Sequence, residues 1–179
     1  MGATGDRDEH LCQRCGEAGP TVRSRGRIDL MAVLCDDCWN RLANDMAEKE
    51  GATAPPRPEF DPDDVTFVEP PTCRLCGADV RVYPTVYDRW VHLAMTDLPA
   101  KDVPRPFRWR LVEIKPPHSP VVIDIVAVRV RGIDPIPGEL VTPAHQFLCA
   151  AEQAERSVVK RMRMDRGPSA FPGAFGGWA

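Results

Sequence analysis

Cys12-Gln13-Arg14-Cys15-Gly16, then 19 residues later Cys35-Asp36-Asp37-Cys38, is the stretch that decides the fold. A CxxC turn sets two thiolates along one edge of a tetrahedron, the geometry in which zinc takes its ligands. Gly16 permits the positive φ that turns backbone amides toward the sulfurs. Two short β-prone stretches, 21–25 and 28–34, lie between the pairs. After the second pair, Trp39, Leu42, Ala43, Met46 and Ala47 recur at helical spacing, and Gly51 stops the helix. Asp36 and Asp37 fall in its first turn, where carboxylates suit the helix dipole. The same positive end stabilises thiolates.

Knuckle, hairpin and a CxxC opening a helix, in that order, resemble a treble-clef zinc finger. The competing reading of Cys12, Cys15, Cys35 and Cys38 is four buried or redox-active thiols. Working outward, the chain has 179 residues with 19 Pro and 13 Gly. Such punctuation argues against long regular elements and for small modules. Modules of that size bury too little surface to fold without a staple. The start of the sequence is polar and acidic, unlike a secretory signal, and no run is apolar enough to span a bilayer. The expected location is the cytoplasm, where thiols stay reduced and CxxC pairs read as metal ligands before disulfides.

Residues 45–72 carry 8 acidic and 2 basic groups and several prolines. Like-charged and Pro-rich, they are expected to form an extended linker. The expected division is a disordered start at 1–9, a finger at 10–50, an acidic linker at 51–69 and a β-rich module at 70–150. A basic helix at 151–166 and a disordered Gly/aromatic tail at 167–179 follow. The fold class is therefore small, metal-stabilised α+β. In the second module, strands are expected at 80–83, 89–95, 107–114 and 121–131, with turns at 84–88 and 115–120.

Cys73-Arg74-Leu75-Cys76-Gly77 repeats the knuckle and needs two further ligands. His145 and Cys149 have suitable spacing, and Cys149 is the only remaining cysteine. His92, in an apolar strand, and His118, in a Pro-rich loop, compete for the place. Four protein ligands at each site describe closed, structural zinc with no open position for substrate. Two structural zinc ions are the expected cofactors.

No HExxH, P-loop, GxGxxG or GxSxG stands in the sequence, and no small-molecule substrate is expected. A zinc deaminase needs Glu two residues after its His, where this chain has Phe147 after His145. The expectation is a non-enzyme. Arg108 and Arg110 alternate with Phe107, Trp109 and Leu111, and Arg129 and Arg131 end the next strand. If those strands pair, the four arginines form a patch, extended by Arg161 and Arg163 on the last helix. A solvated face is the plainer reading. The net charge of −3 argues against strong nonspecific nucleic-acid binding.

The second module resembles a family of actinobacterial proteins of unknown function. The resemblance rests on Cys73–Gly77, Tyr83-Pro84-Thr85, Tyr87–Val91, Leu98-Pro99, Val103-Pro104, Arg108-Trp109 and Pro143–Cys149. It implies a closing Pro-x-His-x3-Cys and so favours His145 and Cys149 as ligands. It implies no activity and leaves the N-terminal finger unexplained. The function expected is a zinc-binding adaptor or regulator that contacts nucleic acid or the transcription machinery. A protein-binding scaffold and a thiol-based redox sensor are the alternatives.

Overall fold

The computed structural model describes residues 11–56, 70–132, 134–154 and 157. Two short strands, β1 (Arg23–Arg25) and β2 (Ala32–Leu34), pair antiparallel and lead into helix α1 (Asp36–Glu50). The second part begins with a hairpin of β3 (Arg81–Pro84) and β4 (Trp90–Leu93). Strands β5 (Leu98–Pro99), β6 (Arg108–Ile114), β7 (Asp124–Arg129) and β8 (Leu140–Pro143) follow. They form a four-stranded sheet in the order β5-β8-β6-β7. Helix α2 (His145–Leu148) is a single turn, and residues 150–154 are again helical. The protein is thus small and mixed α/β.

The helical pattern holds as spaced: Trp39, Ala43 and Ala47 are buried, and Leu42 and Met46 pack beside them. Gly51 caps α1, its N–H donating to the Ala47 carbonyl. The expected strand at 28–34 shortens to its last three residues. Gly26 and Ile28 both have positive φ, and this bend carries the Arg27 N–H to the Val86 carbonyl at 3.0 Å. A contact with the second module thus overrides the β propensity of Ile28. At Gly26 a Cβ would lie 1.8 Å from the Leu30 carbonyl oxygen. Gly26→Ala combines that clash with a disfavoured left-handed backbone, expected to cost about 2 kcal/mol or more. Thermal denaturation should show its midpoint several degrees lower, at roughly 2–4 °C per kcal/mol.

The linker does not keep two separate bodies apart. One core cluster contains Leu34, Trp39, Ala43 and Ala47 of the N-terminal part and Tyr87, Leu93, Trp109 and Val126 of the second part. Ala52, placed in the linker by composition, is buried in the same core, and the Ala54 N–H donates to the Trp90 carbonyl at 3.0 Å. Polar contacts follow the seam. Arg89 reaches Asn40 and Asn44 on α1 at 3.0 and 2.9 Å, and Arg27 pairs with Asp88 and Asp124. Composition showed the prolines and charges of 51–69 but not that its first residues pack. The remainder, 57–69, lies outside the described residues, as do the expected disordered ends and most of the basic helix.

Candidate metal centres

The first knuckle is closed by its own backbone. The Gly16 N–H donates to the Cys12 carbonyl at 2.8 Å, and the Cys12 N–H to Glu17 at 3.0 Å. Gln13 fastens it to β2 twice: its N–H to the Val33 carbonyl, and the Val33 N–H to its Oε1. Cys35 is the N-cap of α1 and Cys38 lies in its first turn. The four sulfurs lie within 4.8 Å of one another, with Cys15 and Cys35 at 3.9 Å. Around a tetrahedral ion with bonds of about 2.3 Å, sulfurs sit about 3.8 Å apart, so the set fits a metal ion.

The Cys35 amide, 3.4 Å from its sulfur, heads the backbone contacts that hold the Cys12 thiol down to about 6. Burial pushes Cys38 up to about 12. An incoming cation must therefore displace the proton of Cys38, and binding releases it. Arg41, one turn along α1, points Nη2 at Cys38 Sγ from 3.7 Å. Four thiolates around a divalent ion leave two negative charges, and a guanidinium at that place offsets part of them.

The second knuckle repeats the first, with Gly77 N–H to Cys73 carbonyl at 2.8 Å and Cys73 N–H to Ala78 at 2.8 Å. The closing pair comes from α2. Cys149 donates its N–H to the His145 carbonyl at 2.9 Å, so the i, i+4 spacing sets both side chains on one face. The sheet aims that turn: Ala94 donates to Pro143 and Ala144 to Phe107. Cys73, Cys76, His145 and Cys149 meet within 4.8 Å, and His145 Nε2 stands 3.3 Å from Cys76 Sγ. A tetrahedral sulfur–nitrogen pair would be about 3.6 Å apart. His145, Cys73 and Cys149 are buried, while Cys76 faces solvent.

The competing histidines fall elsewhere. His118 is exposed in the β6–β7 loop, at φ +63°. His92, half-buried on β4, stands near the second set without joining it. Burial first, then His145 and Arg74, lower its affinity for a proton.

The sheet does not gather the four arginines into one patch. Trp109 pairs with Arg129 and Arg110 with Val128. Paired residues share a face, so Arg129 lies on the Trp109 face and Arg110 on the other. Arg129 stacks over the Trp109 ring at 5.5 Å. Arg108 and Arg105 hold Asp134, Arg110 holds Glu139, and Arg131 holds Glu50. Alternation along β6 was readable in advance, but the register that sets Arg129 and Arg110 on opposite faces was not. Arg161 and Arg163 lie outside the described residues. Arg41 was overlooked, although its place three residues after Cys38 was a usable signal.

Comparison with known proteins adds one finding. Residues 60–115 match a family of unknown function (DUF6083). The match takes in the second knuckle, β3 to β5 and all of β6, and ends before His145 and Cys149. It also leaves out the first metal centre, so the family accounts for half of one metal site and none of the other. No curated protein and no solved structure matches the chain significantly. Among the described residues no helix is long and apolar enough to cross a membrane.

Proposed function

We propose that the chain is a non-catalytic adaptor, held together by two structural zinc ions, that binds another protein. The observation that carries this is the closure of both centres: each set supplies four protein donors, three or four of them sulfur. Sulfur-rich tetrahedral sets suit zinc, and four protein ligands leave no position for a reacting water or substrate. The first centre, with hairpin and helix in this order, corresponds to a treble-clef finger. Exposed thiols at Cys15 and Cys76 suit a reducing compartment such as the cytoplasm.

The arginines favour a protein partner over a nucleic acid. Phosphate-backbone binding needs cations arrayed along a groove. Here Arg25, Arg27, Arg81 and Arg110 each hold a carboxylate of the same chain, and the β6 and β7 arginines divide between two faces. Fluorescence anisotropy with labelled duplex DNA and single-stranded RNA across a salt series tests this. The expected affinity at physiological salt is no tighter than the roughly 10⁻⁴–10⁻⁶ M of nonspecific binding. Tighter, steeply salt-dependent binding would return the regulator of nucleic acid to first place.

A further inference from the structure

A small cavity of about 120 Å³ opens where the end of β7 meets the turn before β6. Its wall is made by Arg105, Arg108, Val130, Arg131, Gly132 and Asp134. Three guanidiniums in six lining residues is a strong local bias in a chain of net charge −3. Like cations crowd together only where anions compensate them, and here the compensation is incomplete. Asp134 serves both Arg105 and Arg108. Glu50 serves Arg131 and also feels Arg129 behind it. Three guanidiniums and one carboxylate line the cavity, so the lining carries a surplus of two positive charges, which Glu50 offsets in part from outside it.

Arg108 shows that the cavity is built. Its side chain is only 13% exposed. Its Nε donates to the Val103 carbonyl at 2.6 Å and its Nη1 to Asp134 at 3.2 Å. The guanidinium plane is therefore fixed, while Arg105, on the other oxygen of Asp134, is 76% exposed and held at that carboxylate alone among the ion pairs. One rigid and one adjustable fork around a single carboxylate is an arrangement suited to an oxyanion. Asp134 occupies the position such a ligand would take.

We infer that this cavity binds a phosphomonoester dianion, with Arg105, Arg108 and Arg131 as its donors and Asp134 as the internal group it displaces. The volume is well below the roughly 300 Å³ at which small-molecule pockets begin, so a single group enters rather than a whole nucleotide. A phosphomonoester carries about −1.5 to −2 charges at neutral pH, matching the surplus. The assignment of its source to a phosphorylated side chain of a partner protein rests on the adaptor reading above. The anion site itself does not.

Calorimetry on the full zinc-loaded chain tests both statements without a known partner. Inorganic phosphate and a phosphoserine peptide are titrated separately against a chloride background. Saturable binding of both is expected, weaker by about tenfold or more in Arg105→Ala, as loss of a charge-assisted donor requires. Arg105 is exposed enough that the fold survives, which circular dichroism verifies. Asp134→Asn should tighten binding by removing the competing carboxylate. No phosphate binding above chloride, an unchanged Arg105→Ala, or weaker binding by Asp134→Asn would overturn the site. Phosphate that binds while the peptide is excluded overturns the partner assignment alone and leaves the adaptor reading standing.

Discussion

In His145→Ala the metal content should fall from two ions per chain to one, and the sheet should unfold. His145 is one of four donors, three of them buried, that could hold a metal ion, and alanine leaves three sulfurs around an open position. A structural zinc site contributes folding free energy on the order of 10 kcal/mol. A whole domain is stable by only about 5–15 kcal/mol, so losing one site is enough to unfold what depends on it. The shared core extends the consequence to the N-terminal part. Ala43 and Ala47 of α1 pack in the same cluster as Leu93, Trp109 and Val126, and lose those neighbours when the sheet opens. Elemental analysis on reduced protein measures the first effect, and hydrogen exchange the second. Amides of β6 and β7 should lose protection, and those of the α1 face should lose it with them. Two ions retained by the variant would remove His145 from the ligand set. One ion with a protected sheet would show that the second centre is not what holds it.

The cysteines at 12, 15, 35 and 38 and the pair at 73 and 76 were legible as candidate metal ligands because CxxC spacing is local. Two CxxCG knuckles and a helical stripe needed no tertiary information. His145 and Cys149 were one candidate pair, with His92 and His118 competing; the turn at His145–Leu148 brings them to Cys73 and Cys76, since i, i+4 spacing sets both on one face. The strands at 107–114 and 121–131 were visible for the same reason, although the second shrank to Asp124–Arg129. Strands β5 and β8 were missed. Leu98-Pro99 and Leu140–Pro143 are two and four residues long and carry proline, and the pairing between them spans some forty positions that no local pattern reports.

The union of the two modules was not legible at all. Nothing in Arg27, Glu50 or Ala54 announces contact with Val86, Arg131 or Trp90. Residues 45–72 look like a spacer because composition reports charge and proline but not burial. The ion pairs of the arginines were hidden likewise. Asp134 lies 29 residues from Arg105, and Glu50 lies 81 from Arg131. The net charge argued against strong nonspecific nucleic-acid binding, but it could not show that one small group keeps a positive surplus.

Tyr87 is where the second large effect is expected. It sits in the β3–β4 turn, wholly buried, and its ring belongs to the core shared by the N-terminal part and the sheet. Its hydroxyl donates to Glu50 Oε2 at 2.8 Å. Glu50 is the last residue of α1, an unfavourable place for a negative charge against the helix dipole. Tyr87 and Arg131 together make that place tenable, one through each carboxylate oxygen. Tyr87→Ala removes the ring and should cost about 3–5 kcal/mol. Its thermal midpoint should drop on the order of 10 °C. Tyr87→Phe keeps the ring and removes only the hydrogen bond to a charged group, a loss of about 1.5–3 kcal/mol. The pair also separates by pH. Burial first, then the nearby Glu50 charge, push the Tyr87 hydroxyl far above its ordinary value. Above about pH 10 the unfolded chain gives up this proton while the folded chain keeps it, so the folded state loses stability as pH rises. Urea denaturation at pH 8 and pH 11 should show wild type losing more stability than Tyr87→Phe over that interval. Equal losses in the two proteins would mean that Tyr87 ionises freely in the folded state, and that the hydroxyl is not held against Glu50.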